Sequence, residues 1–218
     1  MIAEAVDYLE LVGRMPREGT LAFHNVSWDE YVEVIGQMEA HPGWRVTYDD
    51  GLLKFMSPRS IHEFIKEIVH SLVIVYAESF DMEVETYGST TYRARPKAKG
   101  VEPDTSFYVQ NASAMRGRVD IDLEFDLPPD VVVEIDTTNE STDKLAIYAD
   151  LNVPEVWLYD DQEFQILVLD DGRYDSRVHG KAFPLITGEL LTQYLEVGKT
   201  DGTTAMIKSF RRFLQDVQ

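Results

Sequence analysis

The stretch DVVVEIDTTNESTDKLAIY, residues 130 to 148, decides the fold because it joins a strand-like run to a helix-like run. Side chains alternate between the two faces of a strand. Glu134 and Asp136 therefore share one face, and Val131, Val133 and Ile135 share the other. A run this rich in Val and Ile is typical of a strand with both faces covered. Burying carboxylates there costs free energy unless a cation or hydrogen bonds meet them. The stretch therefore predicts partners for both carboxylates.

The same stretch opens a predicted strand–helix–strand unit. A helix is predicted from about residue 141 to 151, and EVWLYD, residues 155 to 160, reads as the second strand. Hairpins are predicted at Asp50-Gly51 and at Asp171-Gly172, since Asp-Gly between strand-like runs favours a tight turn. MEVETY and DTSFYV read as further strands, and about the last 35 residues read as two helices.

Two more helices are predicted earlier in the chain. Ser27 and Glu30 form a capping-box pattern, which begins a helix of about three turns. A long helix follows the first hairpin, and its apolar stripe is predicted to consist of Ile61, Ile65, Ile68, Leu72 and Val75.

These elements predict a single α/β domain in which helices flank a mixed sheet. No internal repeat and no linker of domain-boundary length interrupts it. Within residues 1–218 we expect a helical and hairpin extension over about 1–57, a core over about 58–170 and a helical segment over about 183–218.

Composition limits the classes of function. The 218 residues include no Cys, which excludes disulfides and thiolate metal sites. There is no basic signal-peptide region and no apolar run long enough to span a bilayer, so we expect a cytoplasmic protein without a membrane partner. The 20 Lys and Arg against 39 Asp and Glu give a net charge of −19, which argues against broad electrostatic binding of nucleic acid. A polyanionic substrate would need a local basic patch, a metal ion or both.

Charged residues mark the ends of two predicted strands. Asp104 follows Pro103 at the entrance to one strand, and Glu134 and Asp136 end another. Lys144 lies in the first turn of the following helix, where a cation opposes the helix dipole. Carboxylates from neighbouring strands suit Mg²⁺, which takes oxygen ligands and keeps several waters. A lysine beside them could position or activate an attacking water.

The segments EPD and PPDVVVEIDTTNESTDKLAIYADLNVPEVWLYD carry a resemblance to a known family, supported by MSPRSIHE, GRYDSRVHGKAFP and IKSFRRFL. The chain resembles the bacterial Uma family of restriction-endonuclease-like proteins, within the PD-(D/E)xK nuclease superfamily. The resemblance implies a restriction-endonuclease-like fold and hydrolysis of DNA phosphodiesters with Mg²⁺, for which Mn²⁺ could substitute. Asp104 and Glu134 would fill the PD and (D/E) positions.

The chain departs from the superfamily pattern two residues after Glu134. Asp136 stands where the pattern has Lys, and the resemblance implies that Lys144 supplies the missing cation from the adjacent helix. Two alternatives stay open: Lys144 could pair with Glu140 on its own helix, and Asp136 could bond to the following turn. The departure also leaves room for an inactive enzyme.

Further site residues are expected on the long helix. The resemblance implies a glutamate from this helix, and HE at His62 and Glu63 lies where the family has it, with Glu67 as a rival. The alternative is that these residues cap the helix, form ion pairs or face solvent.

RARPKAKG is the strongest local basic patch. In an extended segment Arg93, Arg95, Lys97 and Lys99 would project to one side and contact phosphates just before Asp104. A solvated loop is the alternative.

Three functions follow from the sequence. The first is a metal-dependent endonuclease acting on DNA, with a homodimer expected because cutting both strands symmetrically needs two sites. The second is a catalytically silent nuclease-fold domain for protein–protein contact or regulation, which the acidic composition and the missing lysine favour. The third is a hydrolase of smaller phosphate esters.

Overall fold

The computed structural model describes five stretches of the chain, residues 8–13, 19–38, 44–56, 60–136 and 141–217. Their helices are α1 (Tyr8–Gly13), α2 (Trp28–Met38), α3 (Ser60–Ser79), α4 (Ala112–Met115), α5 (Ser141–Asp150), α6 (Gly188–Asp201) and α7 (Thr203–Asp216). Their strands are β1 (Thr20–Phe23), β2 (Arg45–Asp49), β3 (Leu52–Met56), β4 (Glu85–Thr86), β5 (Tyr92–Ala94), β6 (Lys99–Val101), β7 (Thr105–Tyr108), β8 (Val131–Ile135), β9 (Glu155–Tyr159), β10 (Phe164–Asp170) and β11 (Arg173–Arg177).

Within these residues the strands form two sheets. The larger sheet has six strands in the order β11-β10-β9-β8-β7-β4, and the smaller has five in the order β1-β3-β2-β6-β5. The larger sheet is mixed, because β8 and β9 run parallel on either side of α5 while the other pairs are antiparallel. The predicted α/β fold with a mixed sheet flanked by helices is confirmed, and the strands divide between two sheets.

The larger sheet is covered on both faces, as the composition of β8 predicts. On one face Val131, Val133 and Ile135 pack with α3, α6 and α7. On the other face Val132 packs with α5 and with strands β5 and β6 of the smaller sheet. Glu134 therefore points toward α5, into the junction between the two sheets.

Local sequence signals place several elements correctly. Ser27 and Glu30 exchange the two capping-box bonds, from Ser27 N–H to Glu30 Oε2 at 2.7 Å and from Glu30 N–H to Ser27 Oγ at 3.2 Å. The Asp50-Gly51 turn takes positive φ at both residues, which favours a tight hairpin. The predicted hairpin at Asp171-Gly172 joins β10 to β11.

The apolar stripe of α3 differs from the prediction at its start. Ile61 is 37% exposed, whereas the neighbouring His62 is buried. The stripe continues through Ile65, Ile68 and Leu72, which are buried against the sheet as predicted. The sequence pattern could not reveal the exposure of Ile61, because the first turn of a helix can extend beyond the edge of the sheet that it covers.

The helices of the described stretches include none with the length and apolar character needed to cross a bilayer.

Candidate functional site

Asp104 and Glu134 lie side by side where β7 begins and β8 ends. The Asp104 N–H donates to the Val133 carbonyl at 3.1 Å, and Asp104 Oδ2 accepts from the Ile135 N–H at 2.8 Å. These bonds hold the Asp104 carboxylate against the backbone on both sides of Glu134. Asp104 is 6% exposed and Glu134 is 1% exposed. The two carboxylates predicted from separate strands are therefore neighbours in a buried place.

Lys144 is the direct partner of Glu134. Its ammonium donates to Glu134 Oε2 at 2.8 Å and also reaches the Glu102 backbone oxygen at 3.3 Å. Lys144 is 6% exposed, so it does not extend along the helix surface into solvent. The other carboxylate oxygen, Glu134 Oε1, accepts from the Tyr148 hydroxyl one turn later on α5. The strand–helix connection thus brings two α5 side chains onto one carboxylate.

Burial and neighbouring charges set the protonation of this pair. The pKa of Glu134 is raised to about 7, mainly by burial; the positive charge of Lys144 opposes the rise, and the negative charge of Asp104 adds to it. Burial lowers the pKa of Lys144, but attraction to Glu134 and Asp104 outweighs it, so the net shift is upward. Lys144 therefore stays protonated at neutral pH while Glu134 is close to its titration point.

A second cation approaches the site from the smaller sheet. Arg45, the first residue of β2, is 12% exposed in its side chain, and its Nε lies 3.9 Å from Asp104 Oδ1. Its Nη2 lies 3.4 Å from Glu63 Oε1, and Glu63 also pairs with Lys66 on α3. Arg45 thus stands between Asp104 and Glu63. No sequence signal identifies this arginine as a site residue, because nothing local to β2 indicates where the smaller sheet docks.

Glu102 is a further acidic group that sequence reasoning missed. Its Oε1 accepts from the Thr91 hydroxyl at 2.6 Å, and its Oε2 accepts from the Val46 N–H at 3.3 Å. Burial raises its pKa, while the Thr91 bond and the charges of Arg45 and Lys144 oppose the rise. Glu102 belongs to the EPD triplet and lies two residues before Asp104. This spacing was the sequence signal that could have identified Glu102 as a site residue.

The remaining predicted site residues on α3 lie around this centre. His62 is buried in the first turn of α3, Glu63 is about half exposed, and the rival Glu67 is exposed. Among the described residues no group of three His, Asp or Glu side chains is placed to hold a metal ion together. The four predicted ligands Asp104, Glu134, Glu63 and His62 therefore do not form one cluster, and Arg45 occupies the space between Glu63 and Asp104.

Asp136 is buried directly after β8, where its N–H donates to the Tyr159 carbonyl at 2.7 Å. Its catalytic role stays a prediction. The alternative partner of Lys144, Glu140, lies outside the described stretches. The Lys144 ammonium donates to Glu134, as predicted.

The predicted row of four cations is not extended, which corrects the geometry expected for Arg93, Arg95, Lys97 and Lys99. Residues 95–97 form a 3₁₀ turn, and Ala98 takes a left-handed conformation with φ 49°. Arg95 pairs with Asp29 at 2.9 Å, Lys97 bonds to the Asp150 carbonyl, and Lys99 pairs with Asp49 and Asp150. The turn sends these side chains to different acidic neighbours, because β5 and β6 form a hairpin here. Nucleic-acid contact by the four stays a prediction.

Asp104 and Glu134 suit Mg²⁺ or Mn²⁺ by number and type of donor. Mg²⁺ is commonly bound through one or two carboxylates plus waters and substrate phosphates. Asp104 uses Oδ2 for the Ile135 N–H, and within the described stretches its Oδ1 has only the 3.9 Å contact with Arg45. A carboxylate oxygen has about two lone pairs, so the bonds from Lys144 and Tyr148 leave Glu134 able to accept a further ligand. The pair fits a divalent cation that keeps several waters.

Comparison with known proteins assigns the family. Residues 28–196 match the family model Uma2, described as "Putative restriction endonuclease". The match covers most of the chain, so the protein belongs to this family, as the sequence resemblance predicted. It includes Asp104, Glu134 and Lys144.

A solved structure that is similar to this chain is described as a "putative nuclease belonging to DUF820 from Anabaena variabilis ATCC 29413". The sequences are 15% identical, the TM-score is 0.49, and the similarity covers 69% of this chain and 90% of that chain. No curated protein matches the chain.

Proposed function

We propose that this protein is a divalent-metal-dependent endonuclease that hydrolyses DNA phosphodiester bonds. Family membership supports the nuclease class. The observation that carries the finer proposal is the contact of Lys144 with Glu134 beside Asp104. In this arrangement Asp104 and Glu134 would hold Mg²⁺ or Mn²⁺, and Lys144 would replace the lysine missing at Asp136.

Each residue has a distinct task in this proposal. When bound, the metal lowers the pKa of a water and neutralises charge on the phosphate. Lys144 places a fixed positive charge where the attacking oxygen and the phosphate meet, and in a buried site that charge is worth more than in water. The Tyr148 hydroxyl and the Ile135 N–H orient Glu134 and Asp104, respectively, so little reorganisation accompanies the reaction.

Symmetric cutting of both DNA strands requires two such sites. We therefore propose a homodimer as the assembly that cuts duplex DNA.

A second candidate function is a catalytically silent, nuclease-like domain that acts through protein contacts. Both oxygens of Glu134 accept bonds from α5, so the buried charge is already satisfied without a metal. The net charge of −19 also weakens attraction to nucleic acid. The two candidates differ in whether the intact protein cuts DNA.

The test is cleavage of plasmid DNA with Mn²⁺ by the wild-type protein and by Asp104→Asn. An amide oxygen can still accept from the Ile135 N–H, so this variant keeps the local fold and loses the charge. We expect wild-type cleavage, and loss of both cleavage and calorimetric Mn²⁺ binding in the variant. Asp175→Asn, on the exposed strand β11, is the matched control and should behave like wild type. Wild-type protein that binds Mn²⁺ but cuts neither DNA nor RNA would refute the proposal.

Metal binding should depend on pH. A metal must displace the proton of Glu134, whose pKa is raised to about 7, so the affinity for Mn²⁺ should fall by about tenfold per pH unit below that value and level off above it. The direction follows because the protonated carboxyl is a poor ligand. Calorimetric titrations between pH 5.5 and about 8.5 measure this. A constant affinity over that range would exclude Glu134 as a ligand.

A further inference from the structure

A cleft with a volume of about 290 Å³ adjoins the proposed site. The two share Glu102, whose side chain lines the cleft and whose backbone oxygen accepts from Lys144 at 3.3 Å. The cleft lies where the smaller sheet meets α2 and the segment around Ile121. A molecule in the cleft would therefore lie next to a phosphate that contacts a metal ion held by Asp104 and Glu134.

The cleft has apolar walls and a polar part. Trp44, Ile35 and Ile121 contribute apolar surface. Arg93 is the basic residue of the lining, Glu102 and Asp120 are its carboxylates, and Thr91 adds a hydroxyl. Thr91 and the Val46 N–H hold the Glu102 carboxylate in place, yet each of its oxygens keeps a lone pair for another donor.

Arg93 differs from the other basic residues of its hairpin. Arg95 and Lys99 pair with carboxylates, and Lys97 bonds to a backbone carbonyl. Within the described stretches Arg93 forms neither an ion pair nor a side-chain hydrogen bond, and its side chain lines the cleft. A cation held at a cleft beside a proposed phosphate site is suited to bind a further phosphate.

We propose that the cleft binds an unstacked nucleobase of the DNA strand next to the scissile phosphate, an inference that rests on the proposed function. A nucleotide has the chemistry that the cleft requires. Its flat base would pack against Trp44, an exocyclic amino group would donate to Glu102, and its phosphate would pair with Arg93. Enzymes reach such a base by extruding it from the duplex or by acting on a single strand.

This site resolves the conflict between the acidic composition and a nucleic-acid substrate. Base–aromatic stacking tolerates any sequence and needs no positive surface, and the loss of one stacked base weakens binding by about tenfold. One strand would thus be held by the cleft and by the metal site, without a broad basic face. A free nucleotide has the same chemistry, so the test must separate it from a strand.

The test is binding of a fluorescent single-stranded dC12 oligonucleotide in EDTA, measured by fluorescence polarisation. Arg93→Gln and Trp44→Leu should each weaken binding by about tenfold, whereas Trp44→Phe keeps an aromatic face and should keep most of the affinity. Arg95→Gln is the matched control, because Arg95 pairs with Asp29 on α2 and does not line the cleft. It should stay within about twofold of wild type. Melting temperatures verify that each variant is folded.

Three results would overturn the inference. The first is equal affinity of wild type and Arg93→Gln for dC12. The second is equal affinity for dC12 and for a twelve-residue abasic strand, which lacks the bases. The third is displacement of dC12 by free dCMP at the same concentration as by unlabelled dC12, which would assign the cleft to free nucleotides.

The EDTA assay separates this inference from the proposed function. Cleft-dependent binding by a protein that never cuts DNA would support the cleft and refute the nuclease. Cleavage that Asp104→Asn abolishes, together with unchanged dC12 binding in Arg93→Gln, would support the nuclease and refute the cleft.

Discussion

Lys144→Met should reduce Mn²⁺-supported cleavage of DNA by about a hundredfold, a scale typical of losing one preorganised electrostatic group. The ammonium is buried and lies 2.8 Å from Glu134, so no solvent cation replaces it at the same position. Methionine keeps most of the side-chain length and removes the charge. Initial rates of plasmid nicking measure the effect.

Metal binding should survive in Lys144→Met, because lysine is not a ligand. The Lys144 charge opposes the rise in the pKa of Glu134, so its loss raises that pKa further. Calorimetry with Mn²⁺ is therefore best done at about pH 8.5, where the carboxyl is ionised. Lys199→Met on α6 is the matched control, since Lys199 pairs with Glu196 away from the site. Equal cleavage by wild type and Lys144→Met would remove lysine from the mechanism while keeping the nuclease.

Glu134→Leu should lower the free energy of unfolding by about 3 kcal/mol or more, since it leaves the buried Lys144 ammonium without its carboxylate. Lys144→Met should also destabilise the fold, because it leaves the buried Glu134 carboxylate without its cationic partner. The double variant Glu134→Leu/Lys144→Met removes both charges and should recover most of the loss, because an apolar pair of similar volume commonly replaces a buried ion pair at little cost. Urea denaturation at about pH 8 measures all four proteins.

The double-mutant cycle also separates stability from function. A recovered fold without cleavage would mean that the charges serve chemistry, since the pair is then dispensable for folding. Additive destabilisation of the two single variants would contradict a direct Glu134–Lys144 interaction.

The sequence predicted elements whose signals are local. The capping box at Ser27, the hairpin turns and the β8–α5–β9 unit all follow from short-range preferences of a few residues. The division into two sheets had no local signal. The β5–β6 hairpin joins β2 through β6, across a long sequence separation, and periodicity within a strand does not say which strand it will pair with.

Contacts within the candidate site were likewise predicted only where their signal was local. Glu134 and Lys144 are joined by a short strand–helix connection, so spacing placed Lys144 within reach of Glu134, although the alternative pairing with Glu140 stayed open. Arg45 reaches Asp104 only because the smaller sheet docks on the larger one, and no spacing encodes that docking. The prediction of an extended row of four basic residues was wrong because the chain reverses direction at Ala98. The sequence does not show that an alanine will adopt a left-handed conformation.

The docking of the smaller sheet also determines what can be removed from this protein. By its sequence the segment before the long helix was predicted to be a helical and hairpin extension of the core. Yet Arg45, which lies 3.9 Å from Asp104, and the Val46 N–H, which donates to Glu102, both come from that segment. A chain trimmed to the larger sheet would keep both proposed metal ligands and Lys144, but would open one side of their enclosure to water. Both sheets thus contribute residues to the candidate site.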